Sequence, residues 1–320
     1  MNKVWVFSPS GAIIDAEAYE RGLDALRLAG FDVGESPNAR MRDLRFAGSD
    51  EQRLHAIVEA AQRPGSQLLM ASRGGYGLTR LMHDIPWQTL AEQLSLHGHV
   101  LCGHSDITAL QLGLMAHSAS HLKLLHGPMV CFDFGGVDGV HPTTLSHFKQ
   151  AVEHGLVDIS WTCERANPVA QGQQLSVHGP VWGGNLAMLC SLLGTPWLPA
   201  IKGGILVLED VNEPVYRIER MLLQLQQAGV LGQQKAVLVG QCSEPAPSTH
   251  DDGYALPDAI ACVQAALDRE TQQAGGQRVS ILSDFPFGHT TPKACFFQGV
   301  EGQLTVDAHD GIACRLTQKL

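Results

Sequence analysis

Short apolar runs alternate with longer segments of helical periodicity along the first half of this chain. The run Val4–Ser8 predicts a first buried strand, and the apolar residues of 16–29 recur at the spacing of a helix. The same pattern predicts further strands at 30–33, 67–71 and 98–102, and helices at 49–62, 107–115 and 143–153. Strands separated by helices are typical of βαβ units, so we expect a parallel sheet with ligand groups at the carboxyl ends of its strands.

Short strands dominate the second half of the chain, from Leu175 onward. They are predicted at 204–208, 236–239, 279–282 and 303–308, with helices at 218–227 and 256–269. Residues 160–174 are polar and only weakly periodic, which indicates a crossover between domains. We therefore predict an α/β protein with one domain at 1–155, a linker at 156–172 and a β-rich domain at 173–320.

Composition narrows the possible functions. The 320-residue chain has a formal net charge of −10 and no cluster of Lys and Arg, which argues against a nucleic-acid partner. No apolar run reaches the roughly 18 residues of a membrane span, and the apolar start is too short for a signal peptide. The eight cysteines are scattered without a CxxC pair, so we expect reduced thiols and a cytoplasmic location.

Ser105 lies where a predicted strand gives way to a predicted helix, just after Gly103. At such a corner a hydroxyl projects from the carboxyl edge of the sheet, and the first amides of the helix point at the group that it attacks. This is the setting of a nucleophile elbow. Serine is also a favoured helix N-cap, so a purely structural role for Ser105 is the alternative.

The glycine-rich segment Ser72–Gly77 directly follows the predicted strand 67–71. Paired glycines let the backbone approach a ligand closely, and exposed amides at a strand end can bind an oxyanion or a phosphate. The segment matches neither a P-loop nor a GxGxxG fingerprint. Its alternative is a tight turn without a ligand.

A candidate carboxylate stands at the end of a predicted strand in the second half of the chain. Glu209 ends the apolar strand 204–208, where it could orient a histidine, or pair with Arg217 or Arg220. Asp210 and Glu213 are close enough to compete for the same role.

His289 follows a glycine at the exit of strand 279–282, which leaves an imidazole exposed and positionable. Its rivals are His126, chiefly, and His104. No HExxH motif or cysteine pair at ligand spacing is present, so we expect no metal and no cofactor. Cys102 lies inside an apolar strand, where burial disfavours the thiolate that a cysteine nucleophile needs.

With Ser105, Glu209 and His289 taken together, the chain resembles the LD-carboxypeptidases, the muramoyltetrapeptide carboxypeptidase family of serine peptidases. The resemblance covers most of the chain and is carried by blocks in the family's order, namely 72–77, 103–108, 126–129, 183–186, 208–214, 216–222 and 287–289. Two places depart from the family pattern. An aromatic residue often stands at the position of His104, and the segment Thr290–Lys293 replaces one that contains Gly and Asn.

The resemblance implies a catalytic triad. Ser105 is the nucleophile, His289 the general base and Glu209 the carboxylate that orients the base. Because the triad then draws on both halves of the chain, we expect the site at a domain interface. The oxyanion hole is expected from the backbone amide of Asp106 and one from Gly74 or Gly75. Candidate substrate contacts are Arg73 and Tyr76.

The same resemblance implies an activity and a setting. The expected reaction is hydrolysis of the L–D amide bond that releases terminal D-alanine from murein tetrapeptide, without a metal. The expected fold is a flavodoxin-like N-terminal domain with a smaller β-rich C-terminal domain, in a homodimer. A cytoplasmic enzyme of this kind would trim imported muropeptides during peptidoglycan recycling.

Two other functions are open at this point. A related serine peptidase of the microcin-immunity type cleaves an acyl amide in a peptidyl nucleotide, and Trp161, Trp182 and Trp197 are candidates for stacking on its base. A non-catalytic α/β binding module is the alternative from another class. A glutamine amidotransferase-like cysteine enzyme is disfavoured, because the corner position carries Ser105 rather than cysteine.

Overall fold

The computed structural model describes residues 2–118, 122–163, 174–243, 250–309 and 311–320. In chain order the strands are β1 (Lys3–Phe7), β2 (Asp32–Glu35), β3 (Leu68–Ala71), β4 (Val100–Gly103), β5 (Lys123–His126), β6 (Leu156–Thr162), β7 (Gln174–Asn185), β8 (Ile205–Val211), β9 (Ala236–Ser243), β10 (Ser280–Leu282), β11 (Phe296–Phe297), β12 (Val300–Asp307) and β13 (Ala313–Lys319). The helices are α1 (Ala16–Leu28), α2 (Asp50–Gln62), α3 (Trp87–His97), α4 (Ile107–His117), α5 (Pro142–His154), α6 (Leu186–Ser191), α7 (Val215–Gln227) and α8 (Leu256–Ala274).

The chain divides into two compact units, each with its own sheet. Unit 1 comprises Met1–Gly155, Gly194–Pro199 and Thr291–Gln298. Unit 2 comprises Leu156–Leu193, Ala200–Thr290 and Gly299–Leu320.

Unit 1 is built on a six-stranded sheet with the order β11-β5-β4-β3-β1-β2. Strands β1 to β5 are parallel, and β11 adds an antiparallel edge that pairs Phe296 with His126. The parallel part has the order 2-1-3-4-5 of flavodoxin-like sheets, which confirms the predicted fold class. In such a sheet, ligands bind where the strand order reverses, which here is at the carboxyl ends of β1 and β3.

The local sequence explains why these elements form. Every residue of β3 and β4 is buried, as expected for strands covered by helices on both faces. Helix α2 starts with a capping box, in which the Ser49 side chain accepts from the amide of Gln52 and the Gln52 side chain accepts from the amide of Ser49.

Unit 2 is built on a seven-stranded mixed sheet with the order β10-β9-β8-β7-β12-β13-β6. Strands β7, β8, β9 and β10 run parallel to one another, whereas β12 pairs antiparallel with β7 and β13, and β13 pairs antiparallel with β6. The interior strand β8 is apolar and buried from Ile205 to Leu208, and the buried carboxylate Glu209 follows. This unit is the β-rich part that the sequence predicts.

The chain passes between the two units several times, whereas the predicted domains are joined by a single linker. Residues 156–162 of the predicted linker form the edge strand β6 of unit 2, and residues 164–172 lie outside the described residues. Two pieces of the predicted second domain, 194–199 and 291–298, belong to unit 1. The second piece joins unit 1 through β11, a two-residue strand that is too short for a periodic signal.

Two further observations bear on the setting of the protein. All eight cysteines are described, and all are free thiols. Among the described residues, no helix combines the length and the apolar character that a membrane crossing requires.

Candidate active site

Ser105 occupies the turn between β4 and α4 with a φ of +62°. Residues other than glycine rarely adopt this left-handed conformation, which costs about 1–3 kcal/mol and persists only where the surroundings impose it. The N-cap of α4 is Asp106, so Ser105 lies one residue before the cap position. A strained serine between a strand and a helix is the arrangement of a nucleophile elbow.

Asp106 ties the turn to two neighbouring loops. Its buried Oδ2 accepts hydrogen bonds from the hydroxyl of Ser10 at 2.5 Å and from the amide of Leu78 at 2.9 Å. Burial raises the pKa of the Asp106 carboxyl. The side chain is therefore structural, and only the backbone amide of Asp106 is a candidate for binding an oxyanion.

Gly74 lies directly against the serine. A Cβ added to Gly74 would stand 2.7 Å from Ser105 Cβ and 2.8 Å from Ser105 Oγ, and 3.3 Å from the Asp106 amide nitrogen. Only glycine fits there. Gly75, with a φ of +112°, instead faces the backbone of Gly11. Of the two predicted glycines, Gly74 is thus the one beside the hydroxyl.

Arg73 and Tyr76 line a cavity of about 270 Å³ in unit 1, together with Gly75 and the start of the loop after β1. Arg73 donates to the carbonyl of Ala12 at 2.7 Å and pairs with no carboxylate in the described part of the chain. Burial lowers the pKa of Arg73, and the charge of Arg45 acts in the same direction. Sequence reasoning missed Arg42 and Arg45, which also line this cavity, because they lie in an irregular loop.

Glu209 and His289 form a hydrogen-bonded pair in unit 2. Nδ1 of His289 lies 2.9 Å from Oε2 of Glu209, and the Glu209 side chain is fully buried, whereas 14% of the His289 side chain is exposed. A Cβ at Gly288 would stand 3.3 Å from Glu209 Cβ and 2.7 Å from the Gln241 carbonyl, so a glycine is required before the histidine. Nδ1 is thus the ring nitrogen of His289 that faces the buried carboxylate.

The two competing carboxylates have other partners. Asp210 accepts from the amide of Ala187, at the start of α6, at 2.9 Å. Oε2 of Glu213 forms an ion pair with Nε of Arg217 at 2.8 Å. The side-chain nitrogen Nδ2 of Asn185 donates to Oε1 of Glu209 at 3.2 Å and to Oδ1 of Asp210 at 3.1 Å. Sequence reasoning gave Asn185 no role, although it lies in the block 183–186.

The rival histidines are buried within unit 1. His126 is bonded through Nδ1 to Gln111 at 2.8 Å, and its ring packs on Phe296. His104 faces the Gly127 carbonyl at 3.0 Å and Nζ of Lys293 at 2.8 Å. Burial raises the pKa of the Cys102 thiol, as predicted for a core cysteine. In the described ranges, no group of three or more His, Cys, Asp or Glu side chains is arranged to hold a metal ion.

Comparison with known proteins identifies the chain. Residues 4–127 match the family model of the LD-carboxypeptidase N-terminal domain, and residues 178–304 match that of the LD-carboxypeptidase C-terminal domain. Fold and sequence together define a carboxypeptidase-type α/β protein. The chain belongs to the LD-carboxypeptidase family.

Individual relatives agree with this assignment. The murein tetrapeptide carboxypeptidase of Pseudomonas aeruginosa is 32% identical, over 76% of this chain and 77% of that protein. A probable murein peptide carboxypeptidase of Bacillus subtilis is 29% identical, over 77% of this chain and 71% of that protein. The crystal structure of muramoyltetrapeptide carboxypeptidase from Oxalobacter formigenes is 33% identical, with a TM-score of 0.81, and the match covers 100% and 99% of the two chains.

A more distant structure shares the fold. The microcin C7 self-immunity protein MccF, in complex with aspartyl sulfamoyl adenosine, is 21% identical, with a TM-score of 0.79, and the match covers 100% of this chain and 96% of that chain.

The buried position of Asp210 predicts a pH dependence of stability. Burial raises its pKa to about 6, and the charge of Glu209 acts in the same direction. The folded state then binds more protons than the unfolded state between about pH 4 and 6, so stability falls as the pH rises through this window. Relative to wild type, Asp210→Asn should gain up to about 3 kcal/mol in unfolding free energy from pH 4 to pH 7, measured by urea denaturation.

Asp268→Asn is the matched control for this measurement. The pKa of Asp268 is lowered by its hydrogen bond to Arg278, so its contribution changes only below the ordinary range of an aspartate. Its removal should leave the slope between pH 4 and 7 unchanged. A wild-type slope that survives in Asp210→Asn would contradict the prediction.

Proposed function

We propose that this chain is a serine carboxypeptidase that hydrolyses the L–D amide bond and releases terminal D-alanine from murein tetrapeptide. The left-handed backbone at Ser105 carries the proposal, because a strained serine at a strand–helix corner serves nucleophilic attack and is costly otherwise. Membership of the LD-carboxypeptidase family and the names of the relatives support the substrate class.

The proposed mechanism assigns one role to each triad residue. Nε2 of His289 accepts the proton of the Ser105 hydroxyl as the oxygen attacks the scissile carbonyl, and later gives it to the leaving amine of D-alanine. Glu209 holds the proton on Nδ1 of His289 and stabilises the imidazolium that forms. The 2.9 Å contact between His289 and Glu209 and the burial of the carboxylate support this division of roles.

The tetrahedral oxyanion is proposed to bind the backbone amide of Asp106 and an amide of the segment at Gly74 and Gly75. The contact of Gly74 with Ser105, and the position of Asp106 at the start of α4, support these donors. Amides aimed at the developing charge act at the positive end of the helix dipole. In other serine hydrolases, one such donor contributes about 2.7–4 kcal/mol to the transition state.

The cavity lined by Arg73 and Tyr76 is proposed to hold the terminal carboxylate of the substrate. The guanidinium of Arg73 pairs with no carboxylate of the described residues and lies near a second guanidinium from Arg45, an arrangement that favours an anion. The cavity adjoins the glycine pair, and Gly74 touches the nucleophile, so a carboxylate there is near the scissile bond. Selection of a free carboxyl terminus is what distinguishes a carboxypeptidase from an internal peptidase.

The cellular role follows from the family resemblance. We propose that the enzyme works without a metal, acts on muropeptides in the cytoplasm during peptidoglycan recycling, and forms a homodimer. Neither a nucleic acid nor a membrane takes part in the proposed reaction.

The microcin-immunity activity is the second candidate function, because the chain shares its fold with MccF. Of the three tryptophans considered for base stacking, Trp182 is 1% exposed and donates to Gln234. Trp161 packs edge-on against Phe285, and Trp197 against His83. These contacts favour structural roles for the three indoles, and so they favour the peptide substrate.

Ser105→Ala should abolish release of alanine from murein tetrapeptide, because the nucleophilic oxygen is lost while the fold is kept. Mass spectrometry of the incubated tetrapeptide measures the loss of one alanine, and circular dichroism checks folding.

EDTA should leave the wild type active. Turnover of aspartyl sulfamoyl adenosine, with an intact tetrapeptide, would instead favour the second candidate function.

Glu209→Gln should lower kcat on the tetrapeptide at least about a hundredfold, because the imidazolium loses its countercharge while the shape is kept. Glu213→Gln is the matched control, since this carboxylate bonds to Arg217, and its effect should be small. If Glu213→Gln were the more damaging of two folded variants, the assignment of the orienting carboxylate to Glu209 would be wrong.

Arg73→Gln should raise KM at least about tenfold with a smaller change in kcat, because it removes a charge that binds the substrate carboxylate. Comparison of the tetrapeptide with its C-terminal amide sharpens the test. Wild type should prefer the free acid, and the variant should lose that preference. Arg80→Gln, at an exposed arginine that pairs with Asp50, is the control; an unchanged preference in Arg73→Gln refutes the role.

A further inference from the structure

Lys293 is a buried cation in unit 1, with 1% of its surface exposed. Its Nζ lies 2.9 Å from Oδ1 of Asp133, 2.8 Å from Nε2 of His104 and 4.7 Å from the ring centroid of Phe132. Lysine is almost never fully buried unless it is paired, and here a carboxylate, an imidazole and an aromatic face surround the ammonium. Asp133 and His104 thus offer two acceptors to the ammonium, and the face of Phe132 lies beside it.

These contacts fix the state of His104. An ammonium group has only donors, so the Nε2 that faces Lys293 accepts. The Gly127 carbonyl has only acceptor sites, so the Nδ1 that faces it at 3.0 Å donates. The ring is therefore neutral, with its proton on Nδ1, and both nitrogens are held.

The rest of the cluster is anchored to three parts of unit 1. The second oxygen of Asp133 accepts from the amide of Met129 at 2.8 Å, in the loop after β5. The backbone amide of Lys293 donates to the hydroxyl of Thr144 at 2.8 Å, in α5. Lys293 itself arrives on the segment Thr291–Gln298, which joins the edge of the sheet through β11. The contact between Met129 and Asp133 holds the carboxylate, and the contact between Lys293 and Thr144 holds the backbone of the lysine. Together they place the ammonium beside the carboxylate.

We propose that Lys293 is a positioning residue for the nucleophile, which acts by holding His104 and through it the left-handed backbone of Ser105. This inference rests on the proposed role of Ser105. The strained turn has two flanking side chains, and Asp106 is already bound to Ser10 and Leu78. On the other side of Ser105, Lys293 restrains the side chain of His104. Asp133 supplies the countercharge of Lys293.

His104 and Lys293 come from distant parts of the chain and meet in the fold, where Nε2 of the imidazole and Nζ of the lysine are 2.8 Å apart. Lys293 needs an acceptor at this place, and a phenyl ring at position 104 would offer none in its plane.

The reactivity of Ser105 toward a fluorophosphonate tests this proposal without a peptide substrate. The double variant Lys293→Met/Asp133→Asn removes both buried charges together, so no uncompensated charge remains. We expect the rate of Ser105 phosphonylation to fall at least tenfold. On the tetrapeptide, kcat should fall by a similar factor, with KM within twofold of wild type.

His104→Phe provides a second variant that keeps the pair of Lys293 and Asp133 intact. It should slow phosphonylation to a similar extent, and adding Lys293→Met/Asp133→Asn to it should cost less than a further twofold, because the two changes act through one path. His99→Phe is the matched control. His99 is buried at the other end of β4, with both ring nitrogens bonded to backbone groups, so its loss should affect stability alone.

The outcomes separate this proposal from the proposed function. Folded variants that are phosphonylated at the wild-type rate would overturn the role of Lys293, and so would fully additive losses. If the double variant fails to fold, His104→Phe alone decides in the same way. Labelling that persists in Ser105→Ala would instead overturn Ser105 as the nucleophile, whatever the behaviour of Lys293.

Discussion

A serine held in the left-handed backbone region is the constraint on which the site of unit 1 depends. Ser105 adopts φ +62° at the corner between β4 and α4. The conformation costs about 1–3 kcal/mol, so neighbouring contacts must offset it. Gly74 leaves room beside the hydroxyl, and the side chains of Asp106 and His104 are bonded on either side of the turn. The buried polar residues around Ser105 are best understood as the structure that maintains this turn.

In unit 2 the main constraint is that two adjacent carboxylates, those of Glu209 and Asp210, are both buried. Glu209 and Asp210 follow each other in β8, and the pairing of β8 with β9 is irregular between Leu208 and Asp210. A bulge re-aims side chains that would otherwise alternate between the two faces of a sheet. Here it lets Asn185 bond to both carboxylates while only Glu209 reaches His289. The side-chain amide of one asparagine thus bonds to both neighbouring carboxylates.

The sequence predicts the parts of this architecture that depend on local patterns. The strand–glycine–serine–helix corner at Ser105 is visible because an apolar run changes to helical periodicity within a few residues. Glu209 is visible because it follows the apolar run of β8, and His289 is visible because a glycine precedes it in the loop after the apolar run of β10. Arg45 and Lys293 escape such reasoning, because their neighbours come from distant parts of the chain. The edge strand β11 escapes it as well, since two residues carry no period.

The electrostatic potential in the cavity of unit 1 depends more on nearby arginines than on the net charge of the whole protein. A net charge of −10 would repel an anionic peptide, yet the carboxyl edge of β1 and β3 carries arginines at 42, 45 and 73. At physiological ionic strength, exposed charges are screened beyond about 8 Å, so distant carboxylates contribute little to the potential in that cavity. The partly buried guanidinium of Arg73 is screened less, and burial lowers its pKa, with no carboxylate paired to it among the described residues. In the proposed function, the terminal carboxylate of the substrate supplies a countercharge that offsets this desolvation of the guanidinium.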